Sequence, residues 1–208
     1  MPANSVYVAS PTIVPTIETN RLLLRPFTDA TSDLAQYHSI RSDPLVMKFS
    51  PTHTPDPDIE FTKAKLALFI PSREREPSDP FLLVVEDRTN PGTIVGDCGI
   101  HDMVKGEVGF TFMRDTWGRG FATEALKAFL EHYWTLRNAS DEKLPEKLFA
   151  VVETDNVKSI NVLKKCGFEE RRRFIHENGD KLLVMDVGKP QGDINTNVLV
   201  PSPARLLL

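Results

Sequence analysis

Gly118 and Gly120 stand at a junction between two periodicities, and the junction has the makings of an anion site. Before it, Val108, Phe110 and Phe112 alternate with Glu107, Gly109 and Thr111, the two-residue period of a strand with unlike faces. After it, apolar residues return at helical spacing: Phe121, Ala125, Phe129 and Tyr133 on one line, Ala122, Leu126 and Leu130 beside it. A helix entered from a glycine turn leaves its first backbone N–H groups without partners, all at the positive end of the helix dipole. Where Cβ atoms are missing, an anion can come close to that backbone. The expected ligand therefore carries phosphate.

Two familiar phosphate loops do not match. A nucleoside-triphosphate loop needs four residues between its glycines and a Gly-Lys-Ser/Thr ending, and no lysine follows Gly120. A dinucleotide turn needs a third glycine where Thr123 stands. Its ribose-binding acid would be Asp141, which falls in the polar run Arg137–Lys147 rather than at the end of a buried strand.

Trp117-Gly-Arg-Gly-Phe-Ala122 instead resembles the pyrophosphate loop of the GNAT superfamily of acyl-coenzyme A N-acyltransferases, Gln/Arg-x-x-Gly-x-Gly/Ala. Gly120 and Ala122 fill its small positions. Trp117 in place of Gln or Arg is similar to the RimJ/RimL branch, the ribosomal-protein N-terminal acetyltransferases. Glu18-Thr-Asn-Arg-Leu-Leu-Leu-Arg-Pro-Phe27 resembles that branch's opening strand, and Ser42-Asp-Pro-Leu-Val-Met-Lys-Phe49 its Asp-Pro-x-Val-Met turn. Asn156-Val-Lys-Ser-Ile-Asn-Val-Leu-Lys-Lys-Cys-Gly-Phe168 resembles its second cofactor motif. The resemblance runs from about Glu18 to Val187. It implies acetyl-coenzyme A as co-substrate and a primary amine as acceptor, either a protein N-terminal α-amine or a small molecule.

Acyl transfer from a thioester to an amine needs a base for the amine, stabilisation of an oxyanion and a proton for the departing thiolate. The resemblance places the cofactor against Phe112, Met113, Trp117, Gly118, Arg119, Gly120, Phe121, Ala122 and Thr123. It also implies that Asn156 holds the pantetheine arm, with Asn161 nearby. Many GNAT enzymes carry a tyrosine acid four residues before the Gly-Phe glycine, where this chain has Leu163. The branch pattern puts Ser159 by the thioester sulfur as proton donor instead. Glu107, on the strand face opposite Val108, is the candidate base, with Glu153 second and Asp97 and His101 behind them. Glu124, Lys127 and Glu131 share a helical face that reads as a solvated stripe. A catalytically silent acyl-coenzyme A-binding module is the competing reading, because Leu163 removes the usual acid.

The elements that must position these groups follow from periodicity and punctuation. A strand at about 20–26 leads to a helix from near Asp29 to Ile40, capped by Thr28 or Asp29. A proline-rich loop, Ser50–Pro57, precedes a second helix to about Phe69, and Pro71–Pro80 reads as a charged loop. Strands follow at about 81–87, 93–101 and 107–113, then a helix from Gly120 to about Leu136. A strand at 147–154, a helix at 157–166 and strands near 170–176 and 181–187 complete the order β-αα-βββ-α-β-α-ββ. This is an α+β fold with a mixed, mostly antiparallel sheet flanked by helices. Residues 1–17 read as an N-terminal arm, 18–188 as a single domain and 189–208 as a C-terminal tail.

Composition excludes several classes. A net charge of −4 supplies no basic field for nucleic acid, and no apolar run approaches a membrane span. The N-terminus lacks a secretory pattern, and Cys98 and Cys166 read as two buried thiols, so the expected compartment is the cytoplasm. The five histidines form no metal-ligand spacing, and no metal is expected. The expected state is a monomer or a homodimer.

Overall fold

The computed structural model describes residues 16–70, 80–139 and 144–189. It opens with β1 (Ile17–Glu18) and β2 (Leu22–Pro26), then α1 (Thr31–Arg41), α2 (Pro44–Met47) and α3 (Ile59–Ala67). Three strands follow, β3 (Phe81–Asp87), β4 (Ile94–Asp102) and β5 (Glu107–Phe112). Then come α4 (Phe121–Ala139), β6 (Lys147–Glu153), α5 (Val157–Lys165), β7 (Glu169–Ile175) and β8 (Lys181–Gly188). The strands form one sheet in the order β1-β2-β3-β4-β5-β6-β8-β7. Every neighbouring pair is antiparallel except β5 with β6. The expected α+β class and mostly antiparallel sheet are thus present.

Strand alternation divides the sheet into two faces. On one, Val108, Phe112, Leu148, Ala150 and Val152 meet α4 and α5. The periodic stripe of α4 supplies Phe121, Ala125, Leu126, Phe129, Leu130 and Tyr133, all buried. Full burial of side chains of this size stabilises by about 1.5–3 kcal/mol each, which fixes α4 and therefore the turn before it. On the other face, Tyr37, Ile40 and Leu66 from α1 and α3 cover Leu82, Val84 and Ile94.

Several local expectations change. Ile17, assigned to the arm, pairs with Leu24 in β1. The cap of α1 is Ala30, without a side-chain bond, rather than Thr28 or Asp29. Thr28 is engaged elsewhere: its N–H and hydroxyl both donate to Asp33, which also takes two bonds from Arg25 at 2.8 Å. The Asp-Pro turn at residue 43 becomes the short helix α2, because the Asp43 carboxylate accepts the Leu45 N–H at 2.8 Å and proline suits a first helical turn. Helix α4 runs past Leu136 to Ala139, into the expected polar loop. Cys98 and Cys166 are both buried and free. Among the described residues no helix is long and apolar enough to cross a membrane. The expected arm up to residue 15, most of the charged loop and nearly all of the tail lie outside the described residues.

The α1–α3 face holds a buried charge. Asp97 of β4 stands opposite Thr111 of β5, and both of its carboxylate oxygens are buried without a hydrogen-bond partner. Desolvation pushes its carboxyl from an ordinary 3.8 to about 6, against the pull of Arg41, Tyr37 and Thr111. The folded chain binds this proton more tightly than the unfolded chain, so the group's contribution to stability declines as pH rises through about 4–6. Asp97→Asn removes that penalty. Its melting temperature should match wild type near pH 4, exceed it increasingly through pH 6 and hold a constant margin above. Superimposed wild-type and mutant melting curves at every pH would show that the carboxylate remains hydrated.

Candidate functional site

The parallel pair β5–β6 joins at a single register position, Glu107 with Phe149, reinforced by the Phe149 N–H donating to the Gly106 carbonyl at 2.9 Å. Beyond it the strands part. Each is held from outside: β5 pairs with β4 from Glu107 to Phe112, and β6 with β8 from Lys147 to Glu153. The result is a V with Glu107 at its vertex and open inner edges above. Five strand steps of roughly 3.3 Å separate the vertex from Phe112, so the cleft is about 17 Å deep.

At the upper end of β5 a 3₁₀ turn, Arg114–Thr116, leads into the glycine turn. Gly118 and Gly120 adopt φ of 77° and 83°, the left-handed region that L side chains rarely enter. The first carbonyl of α4 to accept is that of Gly120, from the Glu124 N–H at 3.0 Å. The Phe121, Ala122 and Thr123 amides therefore precede any helical acceptor at the N-terminus of α4. Trp117, at the position where Gln or Arg is usual, donates its indole N–H to the Phe112 carbonyl at 2.8 Å and locks the turn onto the strand.

Across the mouth, the Asn156 side-chain oxygen caps α5 by accepting the Ser159 N–H at 3.2 Å, which leaves the amide N–H₂ for another acceptor. Lys158 lays its ammonium 4.4 Å from the Trp117 ring centroid, and the Cys166 thiol lies 3.7 Å from the Thr123 carbonyl. The two motifs, distant in sequence, are thus joined. Ser159 is half-buried in the first turn of α5, and Asn161 is exposed. Leu163 is buried in the main core, so the usual acid position serves packing here. The Phe112 side chain is also core, and the Met113 N–H is taken by the Val95 carbonyl at 2.8 Å. Contact of these two with a ligand is restricted accordingly.

Glu107 and Glu153 both project to the α1–α3 face, opposite the core residues Val108 and Val152. Glu107 is half-buried, and desolvation raises its carboxyl above the usual range, with Asp102 adding and Lys105 opposing. At Gly109, next on the same face, a Cβ would lie 2.3 Å from the His101 ring, so any side chain there would displace the imidazole. That imidazole is pushed down to about 4 by desolvation and by Arg41, and so is neutral near pH 7. Glu153 lies four residues from Phe149, roughly 13 Å from the vertex. Its carboxyl is also raised, by burial and by Asp180 and Asp155. His53 Nε2 lies 3.4 Å from Glu153 and 3.2 Å from Asp180, between two carboxylates at the mouth. Sequence spacing kept these three apart, although their ligand atoms lie within 4.8 Å of one another.

One reading is overturned. Glu124 is not part of a solvated stripe: it accepts from the Thr19 hydroxyl at 2.6 Å, the Arg21 N–H at 3.0 Å and Arg21 Nε at 2.7 Å. Arg119 rests its guanidinium 4.5 Å from the Phe121 ring centroid. Arg21, Lys158 and the His101–Gly109 contact carried no signal in sequence, because each depends on a partner from a distant element.

The family model described as acetyltransferase (GNAT) domain matches residues 21–169. The chain is 28% identical over 160 residues to a Bacillus licheniformis protein named uncharacterized N-acetyltransferase p20, covering 74% of this chain and 83% of that one. A GNAT-family acetyltransferase structure from Bacillus anthracis superimposes with a TM-score of 0.67 at 21% identity, over 84% of this chain and 98% of that chain. Spermidine N-acetyltransferase from Vibrio cholerae, solved with CoA and spermine, gives 0.62 at 18% identity, over 82% and 96%. At such identities the two structures show a common fold.

The turn is testable through Gly120. Its φ of 83° disfavours any β-branched residue, and an added Cβ would stand 3.4 Å from Arg21 Nη2 on the rim of the amide cluster. Gly120→Val should abolish binding of coenzyme A, the ligand expected from the sequence, in isothermal titration. Wild-type affinity in a folded mutant would remove the turn from the binding site.

Proposed function

The chain belongs to the GNAT acetyltransferase family and is an enzyme of that class; we propose that it transfers an acetyl group directly from acetyl-coenzyme A to a primary amine. The observation that carries this reading is the V itself: an anion-binding helix terminus at one end, a half-buried carboxylate at the vertex, and unpaired strand edges between. With the pyrophosphate on the Phe121–Thr123 amides, an extended pantetheine arm descends along β5, steadied by Asn156, and brings the thioester toward Glu107. Glu153 is engaged with His53, which favours Glu107 as base.

The amine nitrogen attacks the thioester carbon from the α1–α3 face while Glu107 takes its proton, directly or through one water. The tetrahedral oxyanion is stabilised by amides on the open edge of β5. Collapse forms the amide and expels the thiolate, which takes the Ser159 hydroxyl proton; solvent restores it. No covalent acyl-enzyme is needed, and proximity supplies much of the acceleration. Trp117 and the opening segment Glu18–Phe27 favour the RimJ/RimL-like branch, hence a protein N-terminal α-amine, with a small amine as the other acceptor class. Two unpaired thiols suit a reducing cytoplasm.

The burial of Leu163 favours, as a second reading, a module that binds acyl-coenzyme A without turnover. Incubation with radiolabelled acetyl-coenzyme A and a panel of peptides and small amines separates the two: label transferred to any amine establishes the enzyme reading, and binding without transfer establishes the module.

Because the Glu107 carboxyl is raised, the base is lost as pH falls through a value above the ordinary carboxylate range. The kcat/KM profile should therefore fall on its acid side with one proton. Glu107→Gln should abolish that limb and lower kcat by on the order of 10²-fold or more, with coenzyme A affinity nearly intact. An unchanged profile in the mutant would transfer the role to Glu153 or to water.

Ser159→Ala should lower kcat by roughly 10- to 100-fold, since a thiolate departs tolerably even unprotonated, and should leave KM for acetyl-coenzyme A nearly unchanged. Full activity in Ser159→Ala would show that the thiolate leaves without this hydroxyl.

A further inference from the structure

Arg21, from the β1–β2 hairpin, reaches across to the cofactor turn. Its Nη1 donates to the Arg119 carbonyl at 2.9 Å. Its Nε and Nη2 lie 2.7 and 2.6 Å from one oxygen of Glu124, while its backbone N–H and the Thr19 hydroxyl hold the other oxygen. The guanidinium packs 4.7 Å from the Phe121 ring centroid.

Two physical consequences follow. The Arg119 carbonyl and the Gly120 N–H belong to one planar trans peptide unit, so they point in opposite directions. Fixing the carbonyl toward Arg21 turns the Gly120 N–H away from it. Gly120 has no Cβ to constrain this plane and sits in the left-handed region, so the orientation needs an outside hold. Secondly, Glu124 is a carboxylate in the first turn of a helix whose terminus is to receive pyrophosphate. Burial alone would raise its carboxyl, but the bonds from Thr19 and Arg21 outweigh burial and keep it low. It is therefore ionised, and without a paired cation it would repel the ligand.

Resting on the coenzyme A reading above, we infer that Arg21 is a positioning residue for the pyrophosphate site, aiming the Gly120 N–H at the phosphates and neutralising Glu124 beside them. The Thr19–Arg21–Glu124 cluster thus makes the first strand hairpin part of the cofactor site, although it touches no reacting atom.

The test compares acetyl-coenzyme A with S-acetylpantetheine, which carries the thioester and pantetheine but no phosphate, in wild type, Arg21→Lys, Arg21→Gln and Arg21→Gln/Glu124→Gln. Arg21→Lys keeps a charge for Glu124 but not the fork that also grips the carbonyl. For acetyl-coenzyme A, the expected result is a KM and a calorimetric Kd raised on the order of tenfold in Arg21→Lys and more in Arg21→Gln, with the loss in KM rather than kcat. The double variant, with repulsion removed, should recover only to the Arg21→Lys level. With S-acetylpantetheine, kcat/KM should be the same in all four proteins. Equal losses with both donors would reveal a purely structural clamp and overturn the inference, as would wild-type Kd in a folded Arg21→Gln. Full recovery in the double variant would overturn the peptide-aiming half. A wild-type protein that fails to bind coenzyme A in the same titration would instead sink the cofactor reading beneath it. Thr19→Val, which removes the hydroxyl's bond to Glu124 together with its turn bonds to Leu22 and leaves Arg21 in place, should raise Kd in the same direction and serves if the arginine variants do not fold.

Discussion

The site depends on one interrupted ladder. Strands β5 and β6 are parallel neighbours that pair at Glu107 and Phe149 and nowhere above. A sheet ordinarily closes such a gap, because unpaired backbone groups away from water are costly. Here closure is prevented from outside. The antiparallel partners β4 and β8 pair along the full lengths of β5 and β6, and each strand follows its outer neighbour. Close packing makes that hold firm. A Cβ at Gly96 would lie 2.2 Å from the Thr111 carbonyl, so β4 and β5 approach as nearly as backbones allow. The open edges are left to whatever enters the V, and the rest of the molecule can be understood as what keeps the opening and lines its two ends.

In the proposed reaction the two faces of the sheet serve different halves. The α4–α5 face is apolar, and its packing fixes two helix N-termini at the mouth. The α1–α3 face carries the titratable groups, and their protonation states follow from burial more than from pairing. Glu107, Asp97 and Glu153 are all raised by desolvation, while His101 is lowered by it. In water these groups would be charged or half-charged near neutrality; in the fold the imidazole is neutral and the carboxyls sit closer to working pH. That arrangement suits the proton transfer from an amine, and it costs stability at the same residues, as Asp97 illustrates with two unsatisfied oxygens.

Local pattern accounts for what was legible in the sequence. The strand–glycine–helix junction and the α4 stripe each involve residues within a few positions of one another, and both stand where spacing put them. The errors share the opposite property. Glu124 looked solvated because its helical neighbours Lys127 and Glu131 are exposed, yet its partner Arg21 lies 103 positions earlier. The cap of α1 was misassigned because Thr28 is drawn to Asp33, and Asp33 is held by Arg25 from the preceding strand. His53, Glu153 and Asp180 come from a loop, a strand end and a hairpin turn, with nothing in their spacing to unite them.

The same contrast explains why the cofactor half of the molecule can be read more firmly than the acceptor half. A pyrophosphate is bound chiefly by backbone amides, and only glycine and small residues in a fixed order expose them, so the site writes itself into contiguous sequence. The amine acceptor proposed above would be met by side chains assembled by the topology from separate elements, and no single segment records the combination. Even the cofactor site has a part of this second kind. The plane of one peptide in the glycine turn is set by a guanidinium from the other end of the chain, so the contiguous motif supplies the amides while the fold decides where they point.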